Sequence, residues 1–163
     1  MTQAGDYLVV SNSAESPYPY LSFIDTDRRR DPVVARYTST TATGGLGGVQ
    51  WWHGHLYVSV STSTASPNGG EVDELDISDV RHVRVVHRYG FGSCQASVLA
   101  VTQDGLAAVG CGGGAQEVLN LRTGAQATVA GVPGAGRGYR GGVPRRPQDQ
   151  GLVALYTPVG DAR

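Results

Sequence analysis

Two histidines flanking a glycine, His53-Gly54-His55, form the sharpest polar cluster in the chain. In an extended segment alternate side chains share a face, so His53 and His55 could hold one metal ion between them. Their place at a hairpin turn argues instead for simple solvent exposure, and no Asp or Cys sits nearby in sequence. His82 and His87 have no better claim. The expectation is a chain without a metal or other cofactor, with His53 and His55 as the weak metal candidates.

Cys94 and Cys111 carry the second possible chemistry. With a turn near Thr102 to Gly105, position 94 lies opposite roughly 111 to 113 on a neighbouring strand. Adjacent strands can supply the Cα separation of about 4.4–6.8 Å that a disulfide needs. Two cysteines favour a bond in an exported protein and buried thiols in a cytosolic one, and both readings stand at this level. A Cys/His nucleophile is weaker still, because no His lies in that stretch. Trp51-Trp52 suggests binding: alternation puts one ring in the core and the other outward, where it can stack on a sugar or a partner. Tyr18-Pro19-Tyr20 and Tyr57 add aromatics on other loops and strands. Core packing accounts for most of them. The glycine-rich run from Gly131 to Gly142 lacks the Gly-Lys-Ser/Thr and following helix of a phosphate loop, and reads as a connection. Arg28-Arg29-Arg30, set between Asp27 and Asp31, reads as a solvated turn with local ion pairs. Catalytic residues remain unknown.

The elements that must position these residues repeat. Asp6 to Ser11, Leu21 to Thr26 and Pro32 to Tyr37 form one set of short apolar, β-branched runs; His55 to Ser59, Val72 to Ser78 and Val83 to Tyr89 form a second, opened by an expected strand from Gly48 to Trp52. A third, weaker set comprises Cys94 to Val101, Leu106 to Cys111, Glu117 to Leu121 and Gln126 to Ala130. Leu8, Leu56, Leu106 and Leu152 stand at the same place in successive copies, about 46 to 50 residues apart, which suits a blade repeat of roughly 40–50 residues. Gly, Asn, Asp and Pro punctuate the runs, and no window of a dozen residues shows a convincing helical period. The fold expected is all-β: a β-propeller of about 3.5 four-stranded blades at 1–43, 44–92, 93–138 and an incomplete 139–163. Asp25, Asp76 and Asn120 end the third strand of each copy, where a short polar side chain accepts backbone N–H groups of the following turn.

Composition sets bounds. The 163 residues include 24 Gly and 8 Pro, with 17% charged and 40% hydrophobic, which is too apolar for general disorder and rich in turn formers. All 13 cationic residues are arginine and the net charge is −1, so no field favours nucleic acid or an anionic membrane. No apolar run approaches the ~20 residues of a membrane-spanning helix. Met1 to Asp6 has no signal-peptide pattern, so an export signal is not present in this chain. The first copy lacks an evident opening strand and the last lacks two, so the expectation is a slice of a larger propeller, with two combined copies as the alternative. Open strand edges would then invite self-association.

Asp25-Thr26-Asp27, followed by Asp31-Pro32-Val33-Val34-Ala35-Arg36-Tyr37, resembles the repeats of bacterial cell-surface propellers known for a Leu-Val-Ile-Val-Asp core. Asp76-Ile77-Ser78-Asp79 with Val83-Arg84-Val85-Val86-His87-Arg88-Tyr89 is similar again, and Leu8 to Ser13 resembles the Tyr-Val-Ser-Asn strands of lactonase-like propellers. The resemblance covers residues 6 to 89 well and 94 to 130 weakly, where Asn120-Leu121-Arg122-Thr123-Gly124 departs from the pattern. It implies an exported, secreted or surface protein with a binding or scaffold role. The leading expectation is an extracytoplasmic scaffold without enzymatic activity that binds a partner, protein or carbohydrate, through its loops. The alternatives are a lactonase-like hydrolase or lyase with a central-channel site, and a carbohydrate-binding propeller. One fold hosts many activities, so the ligand is left open.

Overall fold

The computed structural model describes residues 1–12, 19–62, 69–92, 94–111 and 116–129. The expected fourth copy at 139–163, the run from Gly131 to Gly142 and Tyr18 lie outside the described residues. Within them the chain is all-β and forms three four-stranded antiparallel sheets, each in simple up-and-down order. The first sheet comprises β1 (Thr2–Ala4), β2 (Tyr7–Asn12), β3 (Tyr20–Asp25) and β4 (Val33–Thr38). The second comprises β5 (Gly45–Trp52), β6 (His55–Ser61), β7 (Gly70–Asp76) and β8 (Arg84–Phe91). The third comprises β9 (Ala96–Val101), β10 (Leu106–Cys111), β11 (Gln116–Asn120) and β12 (Gln126–Val129).

Two expectations need correction. The first copy does have an opening strand: Thr2, Gln3 and Ala4 pair with Val9, Leu8 and Tyr7. Three polar or small residues carry no strand signal, yet Ala4 is buried in the core and the partner strand supplies the ladder. The opening strand of the second copy starts at Gly45, ahead of the expected Gly48, because Gly45 and Leu46 pair with Ser61 and Val60 across a bulge that holds Gly47 and Gly48.

The second sheet lies between the other two. One core joins Ala4, Val9, Leu21 and Phe23 of the first sheet to Leu46, Val49, Leu56, Val58, Val60 and Leu75 of the second. The other joins Tyr57, Val72, Tyr89 and Phe91 to Leu99, Ala107, Val109 and Leu119 of the third. Burial on both faces explains why β6 does not alternate: Leu56 through Ser61 are all buried.

The close approach occurs between opening strands. A Cβ built on Gly48 would lie 3.0 Å from Leu99 Cα and nearer still to its backbone nitrogen, and one on Gly47 would lie 2.6 Å from Ser59 Oγ. Glycine therefore lets the β5 backbone lie directly against β9. Gly90, on the exposed outer strand, has nothing within 4 Å of the same position.

These two glycines yield a paired test. Gly48→Ala should destabilise the protein by roughly 1–3 kcal/mol, because the sheets must part. Gly90→Ala should stay within about 0.5 kcal/mol. Urea denaturation followed by tryptophan fluorescence measures both, and equal effects would contradict the packing.

Candidate functional site

The polar residue that ends each third strand is used in the same way three times. Asp25 Oδ1 accepts the Asp27 N–H at 3.0 Å, Asp76 Oδ1 accepts the Ser78 N–H at 2.9 Å, and Asn120 Oδ1 accepts the Arg122 N–H at 3.0 Å. Backbone bonds Asp25 N–H to Pro32 and Asn120 N–H to Ala125 (both 2.8 Å) close the same turns. Asp25 also pairs with Arg28 at 3.2 Å, and Asp76 pairs with Arg84. The Ser78 N–H, then Arg84, hold the Asp76 carboxyl down at about 2. The recurring acids are thus engaged in turn formation.

The acids that do not recur gather at the seams. On β7, Glu71 and Asp73 project from the face turned to the first sheet, with Val58 and Val60 beside them on β6. Asp73 is completely buried, and neither of its carboxyl oxygens has a hydrogen-bond partner. Arg88, opposite on β8, brings its Nε to 3.5 Å from Asp73 Oδ1 and 3.8 Å from Glu71 Oε1. The segment after β4 closes this cluster: Thr41 donates its hydroxyl to Glu71 Oε1, and Ser39 lies 3.1 Å from Thr41. Burial first, then the neighbouring Glu71 charge, pushes the Asp73 carboxyl up to about 7. Burial and the charge of Asp73 also raise the Tyr37 phenol.

A second cluster occupies the opposite face of β7. Glu74 lies between Tyr57 of β6 and His87 of β8 in the ladder. Its Oε2 accepts the Tyr89 hydroxyl at 3.1 Å, and its Oε1 is 3.6 Å from His55 Nδ1. The His87 ring lies 4.3 Å from that of Tyr89. Burial, then the Glu74 charge, raises the Tyr57 phenol and pushes Tyr89 up to about 12. Of the two phenols, Tyr89 is the one that donates its hydroxyl to Glu74.

The histidines named from sequence do not act as a pair. His53 (φ 48°) and Gly54 (φ 85°) form a two-residue turn with both residues left-handed, so the alternation that would align His53 with His55 is broken. His53 lies 4.3 Å from the Trp52 ring, while His55 turns toward Glu74. His82, in the turn after β7, bonds Asp79 at 2.7 Å. No group of three or more His, Cys, Asp or Glu among the described residues has the arrangement of a metal site.

Trp51 and Trp52 take opposite faces of β5, and each packs against one of the two cores. Trp52 donates its indole N–H to the Gln103 carbonyl at 3.1 Å and rests on Gly105, where an added Cβ would come within 2.7 Å of the ring. Arg122 covers it at 5.9 Å. Neither ring stands free on the surface. Cys94 and Cys111 are joined in a disulfide with a Cα separation of 4.8 Å. Cys94 lies just ahead of β9, and a bulge at Gly110 and Cys111 sets Cys111 opposite Ala96. An open groove of about 300 Å³ lies between the second and third sheets, lined by Phe91, Gly92, Glu117, Gln126, Ala127 and Thr128.

Sequence reasoning passed over Glu71, Asp73, Glu74, Arg88 and Tyr89. A signal was present: Asp73 and Glu117 each stand three residues before the turn residues Asp76 and Asn120, and Ser22 stands at the same distance before Asp25. No family model matches the chain, and no curated protein matches it.

The phenols give the measurable consequence of this geometry. In a tyrosinate absorbance titration, Tyr57 and Tyr89 should remain protonated after an ordinary tyrosine (about 10) has ionised. Glu74→Gln should lower the Tyr89 step without returning it to the ordinary value, since burial remains. An unchanged late step would show that Glu74 does not act on Tyr89.

Proposed function

We propose that the chain is part of a β-propeller array, belonging to a larger propeller, that serves outside the cytoplasm as a binding scaffold without enzymatic activity. The observation that carries this reading is the threefold recurrence of one four-stranded sheet, each ended at its third strand by the same side-chain-to-backbone turn. Successive sheets meet through their opening strands, β5 against β9, with β5 also touching β1 and β2. That is the contact expected of blades whose first strands lie nearest a common axis.

Two features support a scaffold role. The polar residues repeated in every copy are engaged in turns, as a structural repeat requires. The outer strands present a mixed surface: β12, with Gln126, Ala127, Thr128 and Val129, is exposed throughout, and Arg84, Val86, His87 and Arg88 lie exposed on β8. Such a surface suits a protein or carbohydrate partner. The buried disulfide fits an oxidising compartment.

Peptide mapping under non-reducing conditions tests the location, on protein alkylated in its own cells before lysis. A linked Cys94–Cys111 peptide is expected; two alkylated cysteines would place the protein in a reducing compartment. Electron microscopy or crystallography of the protein at its natural length should show β1, β5 and β9 lining a central axis. Turnover in a screen of lactone substrates would overturn the scaffold reading in favour of a hydrolase.

A further inference from the structure

We propose that the buried Asp73 carboxyl keeps its proton in the folded protein and donates it to Glu71, and that losing this proton as pH rises weakens the seam between the first and second sheets. The groups around Asp73 are few. Glu71 lies two residues away on the same face of β7, Arg88 stands opposite on β8, and Tyr37 approaches from β4. β6 contributes only apolar side chains on this side, Leu56, Val58 and Val60. Thr41, in the segment that follows β4, donates to Glu71.

A charge count shows why a proton belongs here. Two ionised carboxylates and one guanidinium leave a net charge of −1 around a fully buried side chain. Arg88 cannot neutralise both acids well: its contacts are 3.5 and 3.8 Å long, and its side chain is 41% exposed. An ionised Asp73 would keep two buried oxygens without a donor, a costly arrangement. The same carboxyl in its acid form becomes a donor, and Glu71 is the adjacent acceptor, so one proton satisfies an oxygen on each side. Like-charged carboxyls crowded into one site cannot both ionise readily. The raised titration of Asp73, to about 7, follows from this crowding together with burial.

Because the folded state keeps this proton where the unfolded chain has released it, the contribution is fully present below about pH 4. It is lost as pH rises from there to about 7, by up to tenfold in the folding equilibrium constant per pH unit, and changes no further above that. Thr41 and Tyr37 place the consequence at the seam: ionising Asp73 adds repulsion against Glu71, whose Oε1 is the anchor for the segment after β4.

Two measurements test this on the whole chain. In urea denaturation at pH 5, 6, 7 and 8, the wild-type midpoint should fall between pH 5 and 7 and then level. Asp73→Asn, which supplies a permanent donor to Glu71, should remove that fall, so the difference between the two proteins reports this site alone. Infrared spectroscopy of the folded wild type should show a protonated carboxyl stretch at pH 6 that disappears by pH 8. That reading needs no variant to fold, and Glu71→Gln, which removes the neighbouring charge but leaves the burial, should move the loss of the band to lower pH without abolishing it. A missing carboxyl band at pH 6, or an identical pH dependence in wild type and Asp73→Asn, would overturn the proposal.

Discussion

The approach of one strand backbone to another across the middle of the molecule sets the rest of the structure. At Gly47 and Gly48 the β5 chain bulges and lies against Ser97 and Leu99 of β9. Side chains at those places would hold the sheets apart. Without the approach, Leu99 and Ala96 could not seal against Tyr57 and Val72, and the second core would open to water. Gly70 extends the same contact along β7, facing Ala96. The disulfide between Cys94 and Cys111 steadies the β9–β10 hairpin at that end.

A sheet covered on both faces must bury whatever its strands carry. The second sheet meets this demand with Leu56, Val58, Val60, Val72 and Leu75, and departs from it at Asp73. A carboxyl in such a place is held by a charge, a donor or a proton. The polar rim that Ser39, Thr41 and Arg88 build around Glu71 shows that the seam is organised around acids rather than merely tolerating one. On the opposite face Glu74 is partly exposed and receives the Tyr89 hydroxyl, so its charge is accommodated by ordinary means.

The two acid clusters differ in what they leave accessible. The Asp73 cluster is closed by the segment that leaves β4. Glu117, at the equivalent place in the third sheet, accepts the Thr128 hydroxyl at 2.9 and 3.0 Å and borders an open groove. Repetition of the sheet therefore does not repeat the chemistry of the seam. The local polar residue and the segment that covers it decide whether a position becomes a buried pair or a surface feature.

The period of the apolar runs and the Gly, Asp and Asn that punctuate them determined the strands, their antiparallel order and the turn role of Asp25, Asp76 and Asn120. Those features depend on neighbours a few residues apart, which a linear reading can see. β1 escaped notice because Thr2 to Ala4 becomes a strand only by pairing with Tyr7 to Val9. The separation of His53 from His55, the inward packing of both Trp51 and Trp52, and the gathering of Glu71, Asp73, Arg88 and Thr41 were decided by the tertiary structure. Turn handedness at His53 breaks the alternation that sequence spacing assumes. A seam between sheets joins residues as far apart as Thr41 and Glu71, or Gly48 and Leu99. Spacing along the chain says which face a side chain takes; only the packing of one sheet on the next says what that face meets.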